Sequence, residues 1–220
     1  MQRYQRGVEQ WEKEFDRNRA LHGQKIKCRR GCDDCCHQLF QITELEAAQV
    51  SRGVQQLPAD LQDLLRNRAT AYQQLRTELV KSRGQVESWG ALQPEGLRLP
   101  CPALLDGACT IYAFRPMICR KFGVPLWNPD RPGRVHACQL NFQDGEEIED
   151  GHLIQIQTEL HQNWKSLQAD YNAAGGYRDA SPVTIARAIT QDCSQWFPPT
   201  PSGSPGLDGA SEASTAERPA

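Results

Sequence analysis

Four cysteines fall within the segment KCRRGCDDCCHQ: Cys28, Cys32, Cys35 and Cys36. Thiols packed this closely need a use, as a disulfide, a metal site, a redox centre or one face of a buried helix. On a continuous helix the spacing i, i+4, i+7 and i+8 would place all four on one face. Arg29, Arg30, Asp33 and Asp34 crowd the same stretch, however, Gly31 interrupts it, and no leucine or valine accompanies the thiols. A core face would recruit such residues, so metal ligation is expected ahead of plain packing. Adjacent Cys35 and Cys36 cannot easily grip one ion together. They are expected to serve different sites, or one is expected to stand behind a ligand.

Disulfides are disfavoured by the expected compartment. The start, MQRYQRGVEQWEKEF, carries charges throughout and lacks the apolar stretch of a secretory signal. No apolar run approaches the length that crosses a bilayer. A cytoplasmic protein with reduced thiols and no membrane partner is therefore expected. The chain has nine cysteines, and eight fall into two groups: the first cluster, then Cys101, Cys109, Cys119 and Cys138. Cys193 stands alone and is expected to be core. With 25 basic against 27 acidic residues and scattered aromatics, no face for nucleic acid is expected. A protein partner is left open. No Ser/His/Asp set or paired carboxylates can be recognised, and the acidic run over 144–150 reads as a solvated helix entry.

Helices frame the cysteine-rich centre. Tyr4, Val8, Trp11 and Phe15 form one amphipathic face near the start. Thr43 and Glu46 match a capping box, with Ile42 where a hydrophobic staple would sit. A third helix follows Pro58 and carries Leu61, Leu64, Leu65, Tyr72, Leu75 and Leu79 on one side. A fourth carries Leu153, Ile156, Leu160, Trp164, Leu167 and Tyr171. A fifth starts with Ser181 as cap and Pro182 at the first position, with Ile185 and Ile189 facing inward. It would place Cys193 on the stripe that faces the core. Residues 84 to 100 read as a loop. The segment 198–220, rich in Pro, Ser, Gly and Ala, holds too little apolar surface to offset its ordering entropy, so a disordered tail is expected.

The second cysteine group lies in PCPALLDGACTIYAFRPMICRKFG. Asp106-Gly107 predicts a tight hairpin that Cys101 enters, with Cys109 on its return strand. Pro116 is expected to open a short helix with Cys119 in its first turn, where the positive helix end favours thiolate. Cys138 follows a turn-rich loop. The fold class expected is mainly α with a small β-hairpin, helices packing around a cysteine-rich metal-binding centre. It forms a single domain over 1–197, with the cysteine module at about 25–140.

The pattern C-x3-C-x2-C-C followed by CPALLDGACTIYAFRPMICR resembles the YkgJ-like cysteine-cluster family. That family is described as a zinc- or iron-chelating domain, and related clusters occur in flagellin lysine N-methylases. The resemblance covers about residues 25 to 140. It implies as metal ligands Cys28, Cys32, Cys35, Cys36, Cys101, Cys109 and Cys119, with Cys138 as the eighth. Tyr112, Arg115, Pro116 and Arg120 match its other recurring positions.

Eight thiolates suit two four-sulfur sites of zinc or of iron, including an iron–sulfur cluster. Arg29, Arg30, Arg115, Arg120 and Lys121 are placed to offset the sulfur charge, and His37 and His136 are alternate ligands. Three function classes follow: a metal-binding module, an iron–sulfur enzyme dependent on S-adenosylmethionine, and a zinc-ribbon nucleic-acid binder. The enzyme class would use a strand–helix barrel for which the sequence offers no alternating series. A metal-binding protein, with the metal ion as its partner, is the principal expectation.

Overall fold

Apolar periodicity becomes helix along most of the chain. The computed structural model describes residues 2–29, 31–84, 96–129, 132–133, 135–143, 148, 151, 154–174 and 183–196. The expectations for Arg30, for the loop over 85–95, for Leu153, for Ser181 and Pro182 and for the tail fall outside these residues. So does the acidic run over 144–150, residue 148 apart.

Six helices are described: α1 Gln2–His22, α2 Glu44–Gln55, α3 Ala59–Ser82, α4 Met117–Lys121, α5 Gln157–Ala173 and α6 Ile185–Thr190. The strands are short. β1 Leu104–Leu105 and β2 Ala108–Cys109 form the hairpin. β3 Leu126–Trp127 lies between β4 Val135–His136, antiparallel to it, and β5 Gln155–Ile156, parallel to it. The expected class, helical with a small hairpin, is what the chain adopts, with the three-stranded sheet as an addition.

The local signals that set helix starts act as their chemistry dictates. The Thr43 hydroxyl accepts the Glu46 N–H, and the Glu46 carboxylate accepts the Thr43 N–H in return, so the capping box closes. Ile42, expected as a staple, is buried and its backbone pairs with Val183 in an isolated antiparallel bridge. Pro58 is the N-cap of α3. The cap of α6 is Thr184, whose hydroxyl accepts from the Arg187 N–H, rather than Ser181. A hydroxyl directly before the first helical residue reaches that N–H, and one three residues further back does not.

The core lies between α2, α3 and α6. Ala47, Ala48, Val50, Leu65, Ala69, Ala186 and Ile189 are fully or nearly fully buried there. Small alanine side chains on α2 and α6 permit close backbone approach, and full burial of Leu65 is worth about 2 kcal/mol in transfer terms. The α3 stripe is narrower than expected. Leu65, Ala69, Tyr72, Arg76 and Val80 are buried, whereas Leu64 is 42% and Leu75 51% exposed. The partner α6 has only six residues, enough to cover a single row. In α5, Tyr171 is buried and its hydroxyl donates to the Trp196 carbonyl; the side chains of Leu160 and Trp164 are outside the described residues. Among the described residues no helix is long and apolar enough to cross a membrane.

Candidate metal centre

The first cluster is not one helix. Gly31 has φ +86°, a conformation that side-chain-bearing residues rarely adopt, and it breaks the chain between Cys28 and Cys32. A 3₁₀ turn, Asp34–His37, then carries Cys35 and Cys36. The four thiols therefore do not lie on one continuous helical face. This turn docks on the segment entering the hairpin: Cys101 N–H donates to the Cys36 carbonyl at 2.6 Å, and Leu99 N–H donates to the His37 carbonyl at 2.9 Å. The hairpin forms as its Asp-Gly pair predicts, with φ +50° at Asp106 and +73° at Gly107. Arg68 on α3 secures it from outside, donating to the carbonyls of Pro102 (3.1 Å) and Leu104 (2.7 Å).

Pro116 caps α4, and Cys119 sits in its first turn. Burial opposes the thiolate expected from the helix end: it raises the Cys119 pKa well above its ordinary value, and the neighbouring Cys35, Cys101 and Cys109 raise it further. What holds α4 is Glu46, which is 1% exposed and accepts the Met117 N–H at 2.7 Å.

All nine cysteines are free thiols. Five of them, Cys35, Cys36, Cys101, Cys109 and Cys119, make one neighbourhood. Burial pushes Cys101 up to about 12, with Cys109 and Cys35 adding to the shift, and raises Cys109 also. The adjacent pair interact strongly, Cys36 lowering the Cys35 pKa and Cys35 raising that of Cys36. The second neighbourhood contains Cys28, Cys32 and Cys138. Burial raises the Cys28 pKa, against a hydrogen bond from Asn141, with Cys32 and Cys35 near enough to add to it. Cys138 is pushed up to about 12 by burial, with Asp34 and Cys28 contributing. Asn141 laces this side together. Its Nδ2 donates to Cys28 Sγ (3.6 Å) and to the Gly123 carbonyl (2.8 Å), and its Oδ1 accepts the Lys27 N–H (2.8 Å).

Cations stand around the thiols. Arg115 and Arg120 lie near Cys109 and both pair with Glu12 of α1, Arg115 at 2.9 Å. Lys121 is 1% exposed, and burial lowers its pKa to about 7 against the pull of Glu46. Arg29 is exposed. Arg68, Arg98, Asp34 and Asn141 also take part, although the sequence offered none of them as a ligand or charge partner: Asp34, Arg98 and Asn141 stand within three residues of a cysteine, and Arg68 reaches the hairpin from α3. The alternates are less engaged: His37 Nδ1 lies 3.1 Å from the Asp33 carbonyl, and His136 sits half-buried on β4. Cys193 is apart from both groups, fully buried, with its N–H on the Ser51 hydroxyl at 3.0 Å. α6 ends before it, so a turn rather than the helix carries it inward.

As donors, free thiols from four separate segments, half-buried except for the buried Cys138 and with cations beside them, fit zinc or iron. Among the described residues no group of three or more His, Cys, Asp or Glu side chains is set in the arrangement that holds a metal ion. Residues 27–150 match the model of the CxxCxxCC family, described as a "putative zinc- or iron-chelating domain". The chain belongs to this family. Comparisons with curated proteins and with solved structures returned no match.

Proposed function

We propose that this member of the CxxCxxCC family is a metal-binding protein that holds zinc or iron through its clustered cysteines: Cys28, Cys32, Cys35, Cys36, Cys101, Cys109, Cys119 and Cys138. The observation that carries this is convergence. A 3₁₀ turn, a hairpin, a short helix and a turn bring free, largely buried thiols into two adjoining neighbourhoods. Gathering that many thiols without a shared partner leaves weak donors and acceptors unsatisfied, whereas divalent ions, each bound by four thiolates, replace their protons and engage the sulfurs.

Burial favours the protonated form of Cys101 and Cys138, so loading there releases protons and draws on the surrounding arginines to offset the sulfur charge. An enzyme dependent on an iron–sulfur cluster and S-adenosylmethionine is less well supported, because the described strands form only two small sheets. The test is anaerobic purification of the full chain with elemental analysis and an absorption spectrum. A colourless zinc protein or a brown iron protein, with metal lost on replacing Cys101, Cys109 or Cys119 by Ser, is the expected result. A chain that binds neither metal, or keeps it in all three variants, refutes the proposal.

A further inference from the structure

The helix α1 lies against segments that carry thiols. Gly7, Trp11 and Phe15 recur every four residues on one face, which meets α4 and the residues after it. The Cβ position of Gly7 is 3.6 Å from Met117 Cε. The Trp11 ring centroid is 5.7 Å from Lys121 Nζ. The Phe15 ring lies 3.5 Å from the Cβ position of Gly123, a point itself 2.4 Å from Cys28 Sγ, so this ring stands beside that thiol. Along another side of α1 runs an open cleft of about 540 Å³, with Gln10, Glu14 and Arg17 facing Gln155, Glu159 and Asn163 across it. The helix is therefore packed towards the thiols and loose on that flank.

Its charged fastening is Glu12. The carboxylate is the shared partner of Arg115, at 2.9 Å, and of Arg120. Both guanidinium groups are largely buried, at 12% and 7% exposure, whereas Glu12 keeps 40%. Arg120 also donates to the carbonyls of Ala113 (2.7 Å) and Arg115 (3.1 Å). Those carbonyls belong to the link between β2, which bears Cys109, and α4, which bears Cys119. One half-exposed carboxylate thus ties α1 to the two arginines that fix the path of the chain between two thiols. The other ion pair from this helix, Arg3 with Asp170, lies in solvent on the side of α5.

We propose that α1 is a latched cover of the thiol centre, and that the Glu12 carboxylate on Arg115 and Arg120 is the latch that sets how fast metal enters and leaves. This rests on the metal-binding reading above. A cover that fastens alike over the loaded and the empty centre changes both rates and leaves their ratio alone. A residue that only supports the fold would weaken affinity instead.

The full chain is loaded with zinc under anaerobic conditions, and stopped flow times its release to a chelator and its uptake from a zinc buffer. Glu12→Gln speeds both by about fivefold, the factor that loss of a partly exposed ion pair permits. Zinc per chain and the dissociation constant stay as in the wild type. Hydrogen exchange quickens over α1 and is unaltered over α2, α3 and α6. Arg3→Gln, which breaks the exposed pair of the same helix, leaves both rates alone. If Glu12→Gln does not fold, Glu12→Asp, which keeps the charge and shortens the reach, carries the same test with a smaller acceleration. Unchanged rates, an affinity that falls because release alone is faster, or equal acceleration in Arg3→Gln overturns the latch while leaving metal binding intact. A wild type that takes up no zinc or iron overturns the metal-binding reading itself, and the cover with it.

Discussion

Gly123 shows how a single residue sets the space available to a thiol. A Cβ built there would lie 2.4 Å from Cys28 Sγ, with the ring of Phe15 and the amide of Asn141 each 3.5 Å away. The sulfur would have to move, and the side chains around it are themselves pinned. Gly123→Ala is therefore expected to weaken metal binding at the Cys28 neighbourhood about tenfold or more while leaving helix content unchanged. Cys193→Ala is the matched contrast. It removes a fully buried sulfur far from both groups and should cost about 1 kcal/mol of stability with no metal lost. Competition with a calibrated chelator, followed by urea unfolding of the loaded proteins, measures both. Loss of metal in the Cys193 variant, or full affinity in the Gly123 variant, would reverse the roles given to them.

Among the elements, α4 depends on a contact made from α2. Glu46 closes the capping box of its own helix with one oxygen and accepts the first N–H of α4 with the other. Glu46→Ala strands two backbone donors, one of them fully buried, at about 1–3 kcal/mol each. A total loss on the order of 3 kcal/mol is expected, together with weaker metal binding, since α4 carries Cys119. A stability loss with unaltered affinity would confine Glu46 to capping.

The first half of that role was legible in the sequence, because Thr43 and Glu46 stand three residues apart before an apolar run. The second half was not, because Met117 lies far downstream and nothing local marks the pairing. The same division holds elsewhere. The Asp106-Gly107 hairpin and the first-turn position of Cys119 follow from neighbours in the chain. The break at Gly31 is local and legible too, whereas the Arg68 clamp and the docking of the cluster turn on the segment entering the hairpin follow from how distant segments meet. Leu64 and Leu75 mark the same limit: periodicity placed them on an apolar side, but the length of the partner helix decided which row was covered.

At the scale of the whole molecule, the apolar core and the thiol centre are adjoining but differently built. The α2–α3–α6 core is held by Leu65, Ala69, Val50, Ala186 and Ile189, with Cys193 the cysteine at its heart. The centre is held by the docking of the cluster turn on the hairpin, by α4 against α1, and by the Asn141 turn, with elements of two to five residues that have little stability alone. Structural metal sites supply on the order of 10–16 kcal/mol of apparent binding energy, as much as a whole domain's net stability. Removing the metal should thus loosen residues 27–42 and 97–143 first, while amides of α2, α3 and α6 keep much of their protection. Hydrogen exchange on loaded and chelator-stripped protein reads this directly, alongside a fall in melting temperature. If the stripped chain melts where the loaded one does and its amides exchange alike, the metal is not structural. It is then carried rather than built upon, and the short elements around the thiols are held by their hydrogen bonds alone.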